Sequence, residues 1–169
     1  GSLDGEFDAL YASLFEKSEQ YIKVVEALSA KNKGLTREEL LSATKMNNNG
    51  HFSVILQDLI DCDFIRAYRG YGATSKNRLY QLLDPFTLFY FKFIRKFGTM
   101  KKAFWQYQLG THLHDTWAGL AFEQICLMHH NNIEKALGIS GIMTQTFSWL
   151  SSGDSKDRAQ IDQIGRAHV

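Results

Sequence analysis

Glu123 and Gln124 stand inside Thr116 to Met128, TWAGLAFEQICLM, a stretch that reads as a helix with almost no polar side. Trp117, Leu120, Ile125 and Met128 fall near one face, and Ala118, Phe122, Cys126 and Leu127 cover much of the rest. A helix that is apolar nearly all round is buried on most sides. A buried carboxylate is costly unless it has a partner or changes its protonation state. Glu123 is therefore either at the one wet edge of this helix, paired with a nearby Lys or His, or held there for chemistry.

Two histidine groups, His112 with His114 and His129 with His130, invite a zinc reading. No Cys or carboxylate completes either at ligand spacing, so loop and helix-end histidines are the simpler reading. His129 and His130 close a helix, where they suit its dipole. Ser and Cys nucleophile signatures are absent, and so is a Gly-rich phosphate loop with Lys-Ser/Thr.

The elements that must position these residues follow from periodicity and caps. Phe7, Leu10, Tyr11, Leu14 and Phe15 recur at helical spacing, which predicts a helix over Glu6 to Lys17. Ser18 can cap a second helix that ends near Gly34. Thr36 to Glu39 is a capping box that opens a third helix, Arg37 to Thr44. The turn Asn47 to Gly50 leads into a fourth, Phe52 to Asp61. The period then changes. Phe64 to Tyr68 and Arg78 to Leu82 are rich in β-formers and flank a Gly-rich connection, which predicts a hairpin.

Three helices followed by a two-stranded hairpin is the order of a winged helix-turn-helix, assigned to Ser18 to Asp84. Asp84 and Pro85 start the next helix, with Asp as N-cap and Pro at the first helical position. It crowds aromatic side chains onto more than one face as far as Phe97, as a core element between two domains would. Met100 to Tyr107 reads as a further helix, followed by a polar loop ending at Asp115. The helix from Thr116 extends to Asn131, and a short turn of helix covers Ile133 to Gly138. Met143 to Leu150 alternates toward a strand, and Ala159 to Asp162 begins another, with Gln160 and Asp162 on one face.

A winged helix can bind DNA. The recognition helix would be Phe52 to Asp61, offering His51, Ser53 and Gln57, and the wing would add Arg66, Arg69, Lys76 and Arg78. Asp58, Asp61 and Asp63 oppose this, because they repel phosphate. Residues 51–84 carry four acids and four bases, which is no electrostatic footprint. The competing role is an interaction module that packs neighbouring domains together.

The motifs KVVEAL, KGLTREEL, RLYQLLDPFTLFYFKFI, TWAGLAFEQICLMH, KALGISGI, SWL and AQID resemble one prokaryotic family from about Leu3 to Asp162. These are the archaeal and bacterial AAA-type ATPases whose C-terminal half carries a winged helix and then a PD-(D/E)XK nuclease-like domain. The resemblance implies an α+β, mostly helical chain: a winged helix-turn-helix, then the first elements of a restriction-endonuclease-like α/β domain. Residues 1–17 would end a preceding ATPase region, 18–84 form the winged helix, 85–115 a helical linker and 116–162 an incomplete nuclease-like domain.

By the same resemblance, Asp162 matches the acidic residue of the second core strand and Glu123 the acidic position on the first helix. Gln160 accompanies Asp162. Such carboxylates would hold a divalent metal that activates water. The family implies Mg2+ and ATP for the full-length protein, whereas this chain has no ATP site and its catalytic set is incomplete. DNA and the missing ATPase domain are the implied partners. The alternative is a regulatory or protein-interaction module of an ATPase with an inactive nuclease-like domain. A free-standing winged-helix regulator is disfavoured, because too much aromatic core follows the wing.

Residues 163–169 read as non-native: Ile164 to Val169 is what a common sequencing-library adapter encodes in one frame. Gly165 and Arg166 are also poor continuations of a buried strand.

The composition sets the outer bounds. The chain has 169 residues, 44% hydrophobic and 22% charged, as in a globular protein of one ordinary domain or two small ones. A net charge of +1 gives no whole-chain pull toward nucleic acid or membrane. Lys92, Arg95, Lys96, Lys101 and Lys102 form a weak patch among aromatics and read as snorkelling side chains. Cys62 and Cys126 read as reduced cytosolic cysteines, and no apolar run reaches the roughly 18 residues of a membrane span.

Overall fold

The computed structural model describes residues 3–69, 78–97, 104–142, 144–150 and 160–167. The chain is α+β and mostly helical. Helices α1 (Leu3–Leu14) and α2 (Ser18–Ser29) lead to a two-residue strand β1 (Leu35–Thr36), then α3 (Arg37–Thr44) and α4 (Gly50–Asp61). Strands β2 (Ile65–Arg69) and β3 (Arg78–Leu82) follow. The sheet order is β1-β3-β2, antiparallel throughout, with Leu35 opposite Tyr80, Ile65 opposite Leu82 and Arg66 opposite Gln81.

Local signals set the ends of these elements. Thr36 and Glu39 form the capping box: the Glu39 N–H donates to Thr36 Oγ1 at 3.2 Å, and the Thr36 N–H donates to Glu39 Oε2 at 2.7 Å. Asn49 caps α4 by accepting from the Phe52 N–H at 3.0 Å. Asp84 accepts from the Thr87 N–H at 2.7 Å, with Pro85 in the first turn.

Several boundaries differ from the sequence reading. Helix α1 stops at Leu14 rather than Lys17, and the backbone of Lys17, not Ser18, occupies the cap of α2. Helix α2 ends at Ser29 and does not run on to Gly34. The turn that follows carries Gly34 at φ 76° hard against the Tyr80 carbonyl, which lets Leu35 join the sheet. The supposed polar loop before Asp115 is instead the first turn of α8 (His112–Met128), capped by Thr111 Oγ1 on the His114 N–H at 3.3 Å. The strand that the sequence reading begins over Ala159 to Asp162 is β5 (Gln160–Ala167), which pairs along β4 (Thr144–Leu150) as far as Ala167 opposite Thr144.

The core is built from the inner faces of α1, α2, α4 and the sheet. Tyr11, Val24, Val25, Leu40, Phe52, Ile55 and Leu59 are all sealed from solvent. Phe7 lies flat on Tyr90, with ring centroids 3.7 Å apart and planes 2° from parallel. Tyr90 belongs to a helix that runs as α5 (Pro85–Phe89), one π-helical stretch (Tyr90–Ile94) and α6 (Arg95–Phe97). The wider π turn is a feature that no sequence period announces. Helices α7 (Phe104–Gln108) and α8 attach to it through Trp105 and Trp117, each about 5.5 Å from Phe89 and Phe93 in tilted or edge contact. Helix α9 (His130–Ala136) completes the helical part.

The expectation that α8 is buried on most sides is corrected by this packing. Among the described residues only one stripe, with Trp117, Leu120 and Gln124, faces the core; Phe122 is 70% exposed and Met128 53%. No described helix is long and apolar enough to cross a membrane.

Candidate nucleic-acid interface

Helix α4 turns Phe52, Ile55, Leu56 and Leu59 inward. The 3.6-residue period then leaves Ser53, Val54, Gln57 and Asp61 on its open side. At its N-terminal end lies a depression lined by Gln20 and Lys23 from α2, Lys45, Met46, Asn47 and Asn49 from the turn, and His51. None of these lining residues is acidic. His51 Nε2 lies 2.6 Å from Gln20 Oε1, which ties the first turn of α4 to α2. Lys45 caps α3 in the left-handed conformation, φ 58°, and so turns the chain toward α4. Arg37 holds the turn from beneath, donating to Asn48 Oδ1 at 3.0 Å and to the Asn49 carbonyl at 3.3 Å.

The acids expected to oppose DNA sit at the far end of the helix, and two of them are engaged. Asp58 accepts from the Tyr21 hydroxyl at 2.6 Å, and Asp61 accepts from Gln57 Nε2 at 2.7 Å. Burial, followed by the hydrogen bond to Asp58, pushes the Tyr21 phenol up to about 12.

His51, Ser53 and Gln57 are all exposed, Ser53 and Gln57 on the open side and His51 turned toward α2, and the wing residues are not gathered with them. Arg66 is turned the other way. It shares a face of β2 with Tyr68, opposite the core-facing Ile65, and α8 approaches that face. Arg66 Nε donates to Gln81 Oε1 at 2.7 Å, its guanidinium lies 4.6 Å from the centre of the Tyr68 ring, and Nη2 is 3.7 Å from Glu123 Oε1. Arg78 is exposed and stands opposite Arg69 in register, while Lys76 lies outside the described residues.

Among the described residues Glu123 has a cationic partner in Arg66, where the sequence reading named a lysine or histidine. The Gln81 amide also reaches its Oε1, at 3.5 Å, and donates to the Asn32 carbonyl at 2.8 Å. Next to it, Gln124 Nε2 donates to the Leu82 carbonyl at 2.8 Å. An arginine and an amide N–H balance one carboxylate. They do not fit a divalent cation, which seeks several oxygens at once. Among the described residues no group of three or more His, Cys, Asp or Glu could hold a metal.

Gln160 and Asp162 lie on β5. The register passes from Phe147 opposite Ile164 to Trp149 opposite Ile161, so Asp162 falls within a bulge of the β4–β5 pair. Their side chains are outside the described residues, as is that of Arg69.

Sequence reasoning missed Gln20, Lys23, Lys45, Asn47 and Asn49. Asn47 to His51 is a run of polar residues just before an apolar-periodic helix, which is a usable signal. Lys23 comes from another helix, and its only mark is a place away from the Val24, Val25 and Leu28 face. No family model matches this chain, and no curated protein or solved structure matches it either.

Proposed function

We propose that residues 18–84 form a winged helix that contacts duplex DNA through the N-terminal end of α4, within a prokaryotic protein of the AAA-type ATPase kind. One observation carries this reading: Lys23, Lys45 and His51 converge with three amide side chains at the mouth of α4, with no carboxylate among them. Phosphate contacts position a protein on the duplex, and Lys, Asn, Gln and helix N-termini are the groups that make them. The acids engaged at the other end give the helix a polarity, so its first turns would meet the DNA. The proposed role is binding. The nuclease-like chemistry that the resemblance implies would need carboxylates beyond Glu123, and ATP would belong to the implied ATPase region.

Fluorescence anisotropy of a labelled duplex, titrated with the protein at several salt concentrations, tests the reading. Binding should weaken linearly on a log–log plot, and Lys23→Ala with Lys45→Ala should reduce that slope by about 2. Binding that is absent at low salt, or insensitive to salt, overturns it.

A second reading, the interaction module, is favoured by a different observation. Arg66, Gln81 and Glu123, with Gln124 on the Leu82 carbonyl, fasten α8 to the sheet face. That use of the sheet is protein packing, and it engages Arg66 within the fold.

A further inference from the structure

We propose that the open face of α4 reads A·T base pairs in the major groove, with Gln57 on adenine and Val54 against the thymine methyl group. This inference rests on the DNA-contact reading above. Helix α4, GHFSVILQDLID, contains no arginine and no lysine. It therefore lacks the side chains that most often read guanine, by paired donation to O6 and N7. The groups it does present on its open face are a hydroxyl, a branched aliphatic side chain, a primary amide and a carboxylate: Ser53, Val54, Gln57 and Asp61.

The amide is oriented. Gln57 Nε2 lies 2.7 Å from Asp61 Oδ1. An ionised carboxylate can only accept, so the NH2 group must be the one facing Asp61. One N–H is used in that bond. The second N–H and both lone pairs of Oε1 remain, and these are the donor and acceptor that match N7 and the N6 amino group of adenine. Asp61 thus acts as a positioning residue. The same groups match guanine poorly, because O6 and N7 are both acceptors and Gln57 would meet one of them with its own carbonyl.

Val54 is 52% exposed. A half-exposed valine gains little from water and leaves apolar surface open on that side among the described residues. It lies three residues before Gln57, a rise of about 4.5 Å along the helix, somewhat more than one base-pair step. The two side chains therefore fall on neighbouring base pairs. The thymine methyl is the one apolar group that a base pair displays in the major groove. Charge complementarity favours DNA as the occupant of this face, since the depression with the cations Lys23 and Lys45 adjoins it at the end where the backbone would cross.

The test is selection by the whole chain from a duplex pool with a randomised centre, followed by sequencing of the bound fraction. A·T pairs should be enriched about tenfold over G·C at two adjacent positions. Gln57→Ala should abolish enrichment at one and Val54→Ala at the other. Gln57→Asn should restore part of the first preference, since asparagine reads adenine in the same way. Both alanine variants sit on an exposed helix face, and a circular dichroism melt confirms that they fold. Salt-sensitive binding with a flat or G·C-rich selection overturns the base readout while leaving DNA contact standing. Absence of binding to any duplex overturns both.

Discussion

Arg66 on β2 and Glu123 on α8 meet with Nη2 3.7 Å from Oε1, and each side chain is only 19% exposed. The sequence assigns the two residues different chemistries, DNA phosphate for one and metal for the other. The fold joins them and satisfies both. Gln81, buried between them, accepts from Arg66 and donates toward Glu123, so the pair is held by a neutral amide that cannot titrate.

A double-mutant cycle on this pair should therefore give a favourable coupling of about 1 kcal/mol. Glu123→Ala and Arg66→Ala are each compared with the double variant by urea denaturation. Each single change takes the opposite charge away from a largely buried charged side chain, so each should cost more than the second change made on top of the first. A coupling of zero would mean that α8 is held by its aromatic contacts and that the ion pair is incidental.

Stability should decline at high pH through Tyr21. Its phenol is pushed up to about 12 from an ordinary value of 10.0, chiefly by burial and then by the hydrogen bond to Asp58. The folded chain keeps a proton that the unfolded chain releases. The stabilisation is whole below pH 10 and is lost as the pH rises toward about 12. Tyr11, whose phenol is raised further by burial despite its hydrogen bond with Thr87, adds to the same trend. Tyr21→Phe should flatten the decline by one proton's worth, measured as the urea midpoint against pH. An unchanged slope would place the titrating group elsewhere.

Caps and helix faces are legible in the sequence because they are written within a few residues. Thr36 with Glu39 and Asp84 with Pro85 need no tertiary information. Strand β1 is not legible: Leu35 and Thr36 become a strand only because Tyr80 and Leu79, far along the chain, lie beside them. The alternation along β2 separates Arg66 from Ile65, but nothing local says that α8 will cover the Arg66 side. The depression at α4 is hidden for the same reason, since Lys23 and Lys45 come from different elements. The apolar sequence of α8 misleads because Phe122, Ile125 and Met128 are exposed among the described residues.

Gly34→Ala should be among the most damaging single-atom changes in the first half of the chain. At φ 76° an added Cβ would run into the carbonyl oxygen of Tyr80. The backbone conformation is itself costly for any other residue, by about 1 kcal/mol. The collision cannot be relieved by a side-chain rotation, because the obstacle is the backbone of the central strand. A loss of about 2 kcal/mol or more is expected in chemical denaturation. A variant within experimental error of the parent would show that the turn before β1 can move away from β3.

Phe93→Ala tests how the later helices are attached. Phe93 is fully buried, and its ring lies 5.4 Å from Trp105 and 5.5 Å from Trp117. Truncating a buried phenylalanine removes its transfer energy and leaves a cavity, together about 3 kcal/mol or more. The loss should not be uniform. Helices α7 and α8 reach the α5–α6 helix mainly through these two tryptophans, while the core around Tyr11, Val24 and Phe52 is built without Phe93 and meets Trp117 only at its margin. Tryptophan fluorescence should therefore shift to the red, and amides of α7 and α8 should exchange faster, while amides of α2 and α4 keep their protection. Equal loss of protection in both halves would show instead that the aromatic helix is shared core, and that neither half holds its structure without the other.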